Sequence, residues 1–453
     1  MIDKSGAECV VLILHQNQIY YKRIFLKRGN SKQISRKTMI DIRILRENPE
    51  LVKKNALRRG CDVDIDQLSA LDKEYLALVK EVEDMRAERN RLSKECKDNP
   101  DAREQVKQLK VTLAEKEKKQ EEIKAKVDEM MTWLPNFLSD ECPDGESDAD
   151  NVPVRFVGEK PNFPFEARDH QAIGEILGII DTARGAKVAQ SGFYYWCGQG
   201  AQLTQAMFFW AQQTLVKRGF KLFMSPCAAK AHTLFGTGYL PFFADQTYDL
   251  KNEDLALIGT SEQTLVGYHA DEVLDAATLP RCYTAYTPCF RTEAGSYGKE
   301  SRGIFRVHQF HKVEQIVFCL PEESPKYHEI CLANEEYLLQ QLGIPYRVIN
   351  VCVGDMGAPG FKKYDIEAWY PGFGAYREVT SNTNLTEFQS RRLNIRYKDA
   401  NGNRGFVHTI SATGVTDRVV CAILENYQQE DGTVIVPEVL RPYTGFDKLT
   451  PEA

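Results

Sequence analysis

Between residues 66 and 132, apolar side chains recur at alternating intervals of three and four. The first run is Leu68, Leu71, Tyr75, Leu78, Val82, Met85, Arg89 and Leu92. After Asn99-Pro100 the rhythm resumes with Val106, Leu109, Leu113, Lys116, Gln120, Ile123, Val127 and Met130. Each run is one a/d seam, apolar apart from its distal or central polar members, and predicts a long helix. Pro100 ends the first helix, and Asp101 is suited to begin the second. The pair should fold back as an antiparallel hairpin, each arm roughly 45 Å long at 1.5 Å per residue. Two helices alone bury little surface, so the arm is expected to project from a larger body.

The periodicity stops at residues 140–151, an acidic stretch with Gly and Ser that reads as a linker. From residue 152 short β-like runs such as Tyr346-Arg-Val-Ile-Asn-Val-Cys-Val353 mix with helical ones. Residues 152–453 are therefore expected to form an α+β domain. Residues 39–139, with the arm at 66–132, form a separate one. No Gly-rich loop of the P-loop or dinucleotide type is present, so a bound nucleotide would be held in another way. Residues 1–38 carry eight Lys/Arg against two acids. They read either as a targeting peptide or as an extension upstream of a native start at Met39.

Composition changes this picture little. The 453 residues are 43% hydrophobic and 27% charged, as in ordinary globular proteins, and no apolar run approaches the length of a membrane span. Twelve cysteines occur without a C-x-x-C pair, so they read as thiols of an intracellular, cytoplasmic protein and not as zinc ligands. A net charge of −6 gives no global affinity for nucleic acid. Charge is nevertheless segregated on the arm. Residues 86–119 hold eleven Lys/Arg and seven Asp/Glu, whereas residues 66–85 hold two and six. The basic tip, with Arg86, Arg89, Arg91 and Lys94, could track a phosphate backbone; it could equally be the charged exterior of any coiled coil.

Three segments carry candidate chemistry. Phe290-Arg-Thr-Glu-Ala-Gly-Ser-Tyr-Gly-Lys-Glu-Ser-Arg-Gly303, followed by Arg306-Val-His-Gln-Phe310 and Lys312-Val-Glu314, reads as two strands joined by a charged loop. Arg291 and Glu293 alternate by two, as do His308 and Phe310, so each pair should share a strand face. An arginine and a carboxylate there would clamp a phosphate and read an amine, or simply form a salt bridge. In Arg377-Glu-Val-Thr-Ser-Asn-Thr-Asn384, Glu378 and Ser381 offer the hard oxygens Mg²⁺ prefers, unless the run is only a polar turn. Ser411-Ala-Thr-Gly-Val-Thr-Asp-Arg418 reads as a polar turn feeding an apolar helix, with Arg418 near the helix start. A cation at that end is electrostatically odd unless a polyphosphate binds there or the side chain is solvated.

Together these segments resemble motifs 2 and 3 of class II aminoacyl-tRNA synthetases and the ATP-contacting stretch between them, specifically in the seryl-tRNA synthetase family. The resemblance runs from Met39-Ile-Asp-Ile-Arg-Ile-Leu-Arg-Glu-Asn-Pro-Glu50 to Tyr443. It includes Arg86-Ala-Glu-Arg-Asn-Arg-Leu-Ser-Lys94, Phe235-Gly-Thr-Gly-Tyr-Leu-Pro241, Thr287-Pro-Cys-Phe-Arg-Thr-Glu-Ala-Gly295, Val353-Gly-Asp-Met-Gly357 and Val436-Pro-Glu-Val-Leu-Arg-Pro442. It implies an antiparallel sheet flanked by helices, and a homodimer built on the helix ending near Arg218-Gly219 and the strand reaching Pro226. The implied activity is ATP-dependent joining of L-serine to tRNA(Ser), with Mg²⁺ held by Glu378 and Ser381; whether tRNA(Sec) is served as well is left open by the sequence.

By the same resemblance Thr260, Ser261, Glu262, Glu314 and Thr413 would bind serine. Arg291, Thr292, Glu293, Arg306, Glu378, Val379, Thr380, Ser381 and Arg418 would contact ATP, with Arg291, Glu293 and Arg418 closest to the chemistry. The basic arm would bind tRNA. One departure stands out: Ser411 occupies the place of an asparagine usual in motif 3, and the stretch to Arg418 is one residue short. Two rivals follow, a relative that loads a carrier protein and an impaired paralogue that only binds tRNA or protein.

Overall fold

The computed structural model describes residues 40–96, 99–294 and 303–451. The extension at 1–38, Met39 and most of the charged loop after Ala294 lie outside the described residues. The chain divides into two compact units, with the boundary between Pro135 and Asn136.

The first unit contains α1 (Ile42–Glu47), α2 (Pro49–Arg58), α3 (Ile65–Glu95) and α4 (Pro100–Thr132). Asp64 caps α3 by accepting from the backbone N–H of Gln67. The turn differs from the expected one by a residue or two. Asn99 is the N-cap of α4, accepting from Asp101 and Ala102, and Pro100 fills the first helical position, where its missing N–H costs nothing. The 31 and 33 residues of α3 and α4 give arms of roughly 47–50 Å. Leu68, Leu78, Val82 and Leu92 are buried against Val106, Leu113, Ile123 and Val127, the expected seam. Ion pairs Lys119–Glu74, Lys116–Glu81 and Arg86–Glu117, each at 2.7 Å, cross the hairpin.

The second unit is built on an eight-stranded sheet. In chain order its strands are β1 (Val152–Val157), β2 (Lys221–Phe223), β3 (Arg281–Phe290), β4 (Gln309–Cys319), β5 (Tyr346–Asn350), β6 (Lys362–Tyr370), β7 (Ala375–Thr386) and β8 (His408–Thr416). Their spatial order is β1-β5-β6-β7-β8-β4-β3-β2, antiparallel throughout except for the last pair. The fold is thus the expected α+β arrangement, an antiparallel-dominated sheet flanked by helices. Helices α5 (Gly198–Lys217), α7 (Ser324–Gln341) and α9 (Asp417–Asn426) add Met207, Leu215, Leu338, Val420 and Leu424 to one core with Val313, Val317, Ile366 and Ile410 of the sheet. Two short helices, α6 (Glu262–Gly267) and α8 (Phe388–Leu393), lie elsewhere in this unit. Residues 136–151, divided above between the arm domain and a linker, are held to this unit. Asn136 Nδ2 donates to the carbonyls of Pro359 and Leu385, each at 2.9 Å, and Ser139 N to that of Phe361.

Between α7 and the sheet the packing turns polar. Asn384 Nδ2 donates to Ser324 Oγ at 3.3 Å, Asn382 Nδ2 to the carbonyl of His328 at 2.9 Å, and Thr380 Oγ1 to Glu335 at 3.3 Å. His328 Nε2 lies 3.1 Å from the Asn382 carbonyl, which can only accept, so the ring carries a proton there. Burial holds the His328 imidazole down to about 4, and that of His408 likewise. Neutral in the fold but titrating near 6.5 when unfolded, each ring stabilises the protein fully above pH ~6.5, and this contribution is lost as pH falls through 4. The unfolding free energy from urea titrations should therefore drop between pH 6.5 and 4, by on the order of 3 kcal/mol per ring. His328→Gln should flatten that limb relative to wild type; an unchanged slope would show that His328 is not the titrating group.

Candidate active site

A cavity of about 550 Å³ opens over the polar side of the sheet. Strand alternation explains the division: Val313 and Val317 of β4 join the apolar core, while Lys312 and Glu314 line the cavity. Other lining residues come from β7, β8, the segment following β3, α6 and the loop at 354–360.

Two bulges decide which residues meet. Strict alternation would put Glu378 and Ser381 on opposite faces of β7. The register instead runs Glu367↔Glu378 and then Ile366↔Thr380, leaving Val379 as an extra residue. Glu378 and Ser381 therefore both line the cavity. On β8 the register passes from Thr413↔Glu314 to Val415↔Val313, so Gly414 is extra. Ser411 to Thr416, expected as a turn, is strand. Its small polar side chains serve because Ser411 and Thr413 face the cavity and not the apolar core.

Arg291 and Glu293 also depart from expectation. The β3–β4 ladder ends at Phe290↔Gln309, so neither lies on the strand. The chain turns aside there, because Thr292 N bonds the Gln246 carbonyl and its hydroxyl donates to that of Asp245. Glu293 then takes a positive φ of 51°, and its carboxylate accepts from Arg306 Nη1 at 2.6 Å. Arg291 still reaches the cavity, with its guanidinium 5.1 Å from the ring of Phe310. Thr292 does not line it.

Arg418 is the second residue of α9. Asp417, buried at the first position, accepts from His311 N at 2.5 Å and Trp196 Nε1 at 3.1 Å and supplies the negative charge that a helix start favours. Arg418 Nη1 donates to Glu378 Oε2 at 3.1 Å and to the Glu378 carbonyl at 3.0 Å, and its guanidinium stacks 4.4 Å from the Phe305 ring. Burial opposes the charge on Glu378, but Arg418 and Lys363 outweigh it and hold the carboxyl down to about 2. On β6, opposite Ser381, burial pushes Asp365 up to about 7 despite the Lys363 ammonium 2.9 Å away. Asp365 Oδ1 is buried with no hydrogen-bond partner among the described residues. Ionised Glu378, the Ser381 hydroxyl and this spare oxygen suit Mg²⁺, which keeps waters and substrate oxygens around a few protein ligands.

Of the serine-site candidates, Glu262, Glu314 and Thr413 line the cavity; Thr260 and Ser261 are buried beside it. Thr413 Oγ1 donates to Glu314 Oε1 at 3.3 Å, and Lys312 Nζ pairs with Glu314 Oε2 at 2.7 Å. Lys312 Nζ also lies 3.5 Å from Thr260 Oγ1. Burial and the nearby charge of Glu314 raise the Glu262 carboxyl.

Residues 245–427 match the family model for the class II tRNA synthetase core domain (G, H, P, S and T), and residues 39–138 match that for the seryl-tRNA synthetase N-terminal domain. The serine–tRNA ligase of Dictyoglomus turgidum is 42% identical over 424 residues, covering 91% of this chain and all of the relative. That of Thermobifida fusca is 45% identical over 421 residues, covering 92% and 100%. The crystal structure of seryl-tRNA synthetase from Pyrococcus horikoshii complexed with ATP superposes with a TM-score of 0.87 at 40% identity, covering 92% of this chain and 100% of that one. The chain belongs to the seryl-tRNA synthetase family.

The residues of this cavity differ in how far the sequence alone reveals them. Lys312, two residues before Glu314 on one strand, was legible from spacing alone. Phe310 was named on its strand, but its place 5.1 Å from the Arg291 guanidinium was not; Lys363 beside Glu378, and Tyr239 and Gln389 against Glu262, were not singled out, because each arrives from a segment distant in sequence. On the arm, Arg86 pairs with Glu117, and Arg91 with Glu88 at 2.6 Å and Glu95 at 2.9 Å. Arg89 contacts the Asn90 side chain at 3.3 Å, and Lys94 makes no ion pair among the described residues.

Proposed function

We propose that this chain activates L-serine with ATP and transfers the seryl group to tRNA(Ser), as a cytoplasmic homodimer. The observation that carries the reading is one cavity holding two kinds of recognition: Glu262, Glu314 and Thr413 for a small ammonium- and hydroxyl-bearing substrate, and Arg291 and Arg418 for polyphosphate. Carboxylates suit serine because each can accept from its ammonium or its hydroxyl. A buried hydrogen-bonding site for the hydroxyl rejects alanine strongly, whereas threonine must be excluded by shape.

A serine carboxylate oxygen bonds to the α-phosphorus of ATP as the bond to pyrophosphate breaks, giving seryl-adenylate. Arg291 and Arg418 offset the negative charge that develops on the phosphate oxygens. Glu293 and Arg306, paired at the rim, brace that end of the site, while Val379 and Thr380 shape its floor. Glu378 and Ser381 would hold Mg²⁺, which when bound neutralises phosphate charge. A ribose hydroxyl of the terminal tRNA adenosine then bonds to the seryl carbonyl carbon, AMP leaves, and positioning supplies much of the rate.

The dimer reading is supported by apolar side chains left exposed on α5 and around β2, namely Phe209, Val216, Leu222 and Met224. The cytoplasmic reading is consistent with the cysteines of the described residues, all of them free thiols. Among the described residues, no helix is long and apolar enough to cross a membrane. Arg89 and Lys94 are the better candidates for binding phosphate, because Arg86 and Arg91 already have carboxylate partners. tRNA(Sec) would be admitted if it presents the same backbone to the arm.

Purified protein should catalyse serine-dependent ATP–pyrophosphate exchange, and Arg291→Ala should lower it by roughly 10²–10³-fold, the usual loss of one charge-stabilising donor. A folded protein without exchange would overturn the enzyme reading. Charge reversal at Arg89 and Lys94 should raise the tRNA KM and reduce its log–log salt dependence by roughly one for each phosphate no longer neutralised. Exchange without tRNA should stay at the wild-type rate. Unchanged tRNA charging would remove the arm tip from the tRNA site.

A further inference from the structure

Two fully buried side chains, His170 and Glu425, take no part in the chemistry described above, yet one of them touches the wall of the cavity. Glu425 lies on α9, about two turns beyond Arg418 and so on the same side of that helix. His170 opens a neighbouring helix, His170–Leu177. Glu425 Oε1 accepts from the His170 backbone N–H at 3.0 Å and meets ring Nδ1 at 2.9 Å, while Oε2 accepts from Gly372 N at 2.9 Å. Both carboxylate oxygens are engaged, and the imidazole is fixed in orientation.

The other ring nitrogen sets this pair apart from an ordinary buried contact. Nε2 receives the backbone N–H of Ile304 at 3.3 Å. An N–H can only donate, so Nε2 accepts and the ring proton sits on Nδ1, facing the carboxylate. Gly303 makes room for this approach, since a Cβ there would come within 2.4 Å of Nε2. Phe305, the next residue along, returns the connection to α9. Its carbonyl accepts from Arg418 Nε at 3.1 Å, and its ring stacks 4.4 Å from the Arg418 guanidinium. Phe373 packs against both ends of this link, its ring centroid 5.8 Å from that of His170 and 6.3 Å from that of Phe305. Ile304, Phe305 and Arg418 all line the cavity. Residues 304 and 305 are therefore strapped to α9 twice, through His170 and Glu425 at one point and through Arg418 at the other.

We propose that His170 is a positioning residue for the reaction with ATP: oriented by Glu425, it fixes Ile304 and Phe305, and through them the Arg418 guanidinium. It touches no substrate itself. The inference rests on the reading of Arg418 as a polyphosphate ligand given above. Charge stabilisation depends steeply on placement, because a shift of about 1 Å can cost on the order of 10²-fold in rate. An imidazole with its proton on Nδ1 offers the segment an acceptor without adding a second cation near Arg418.

Two substitutions separate the two ends of the ring. His170→Gln places an amide oxygen near the position of Nε2, keeping the Ile304 bond and losing that of Nδ1. His170→Asn does the reverse, keeping a donor toward Glu425 and losing the acceptor for Ile304. In serine-dependent pyrophosphate exchange on the full chain, His170→Asn should lower kcat/KM for ATP by roughly 10- to 100-fold, with the serine KM within about twofold. His170→Gln should stay within about threefold of wild type for both substrates. Combined with Arg418→Lys, which keeps the charge but loses the planar fork, His170→Asn should add little, because both act through one guanidinium. Gly303→Ala, whose methyl would press on Nε2 and leave the Glu425 bonds intact, should reproduce the ATP defect and carries the test if His170→Asn does not fold.

Three results would overturn the proposal: His170→Asn and His170→Gln impaired alike, in step with their loss of stability to urea; serine and ATP parameters worsening together; or full additivity with Arg418→Lys. Absence of serine-dependent exchange in the wild-type protein is a different failure, that of the activation reading itself.

Discussion

Charge placed on the open side of a sheet, in a recess partly screened from water, must be matched locally or it destabilises the fold. That constraint organises the second unit. Glu314 has Lys312, Glu378 has Arg418, Asp365 has Lys363, and Glu293 has Arg306. Each pair joins residues close in sequence or on neighbouring elements, so the cavity's electrostatics rest on strand register. A register slip by one residue would turn the strand members among them, Lys312, Glu314, Lys363, Asp365 and Glu378, toward the opposite face of the sheet.

The bulges at Val379 and Gly414 are part of the same arrangement. A sheet of perfect alternation offers side chains only at every second position, which is too sparse for a site that must read an ammonium, a hydroxyl and a polyphosphate. An extra residue in β7 brings Glu378 and Ser381 onto one face, and an extra residue in β8 re-aims the chain leading to Arg418. The first shifts the register between Glu367 and Ile366, so the neighbouring strand keeps its own alternation, with Asp365 facing Ser381 across the ladder. Close packing on the other side of the sheet, where α7 offers polar groups to Asn382 and Asn384, keeps these irregular strands in place.

Charge on the arm follows a different logic. Its seam is apolar and its exterior charged, so cations there are solvated and can be exchanged among partners at little cost. Intrahelical and cross-hairpin pairs already engage Arg86 and Arg91. A count of basic residues therefore overstates the free positive charge at the tip, which depends on where each acid falls around the two helices.

The sequence alone determined the arm, because a heptad rhythm over 31 and 33 residues admits almost one structure. It also carried the motif-bearing segments, since family motifs are local and survive without knowledge of the fold. Tertiary structure decided which of those residues meet. Thr292 left the cavity, Glu293 turned to Arg306, and the run at Ser411–Thr416 became strand where its polarity suggested a turn. Gln389 reaches Glu262 across 127 positions of sequence, and Lys363 neighbours Glu378 only because β6 and β7 pair. Periodicity encodes a residue's own face relative to its chain neighbours; a binding site is a relation among faces, and bulges and long-range docking set that relation.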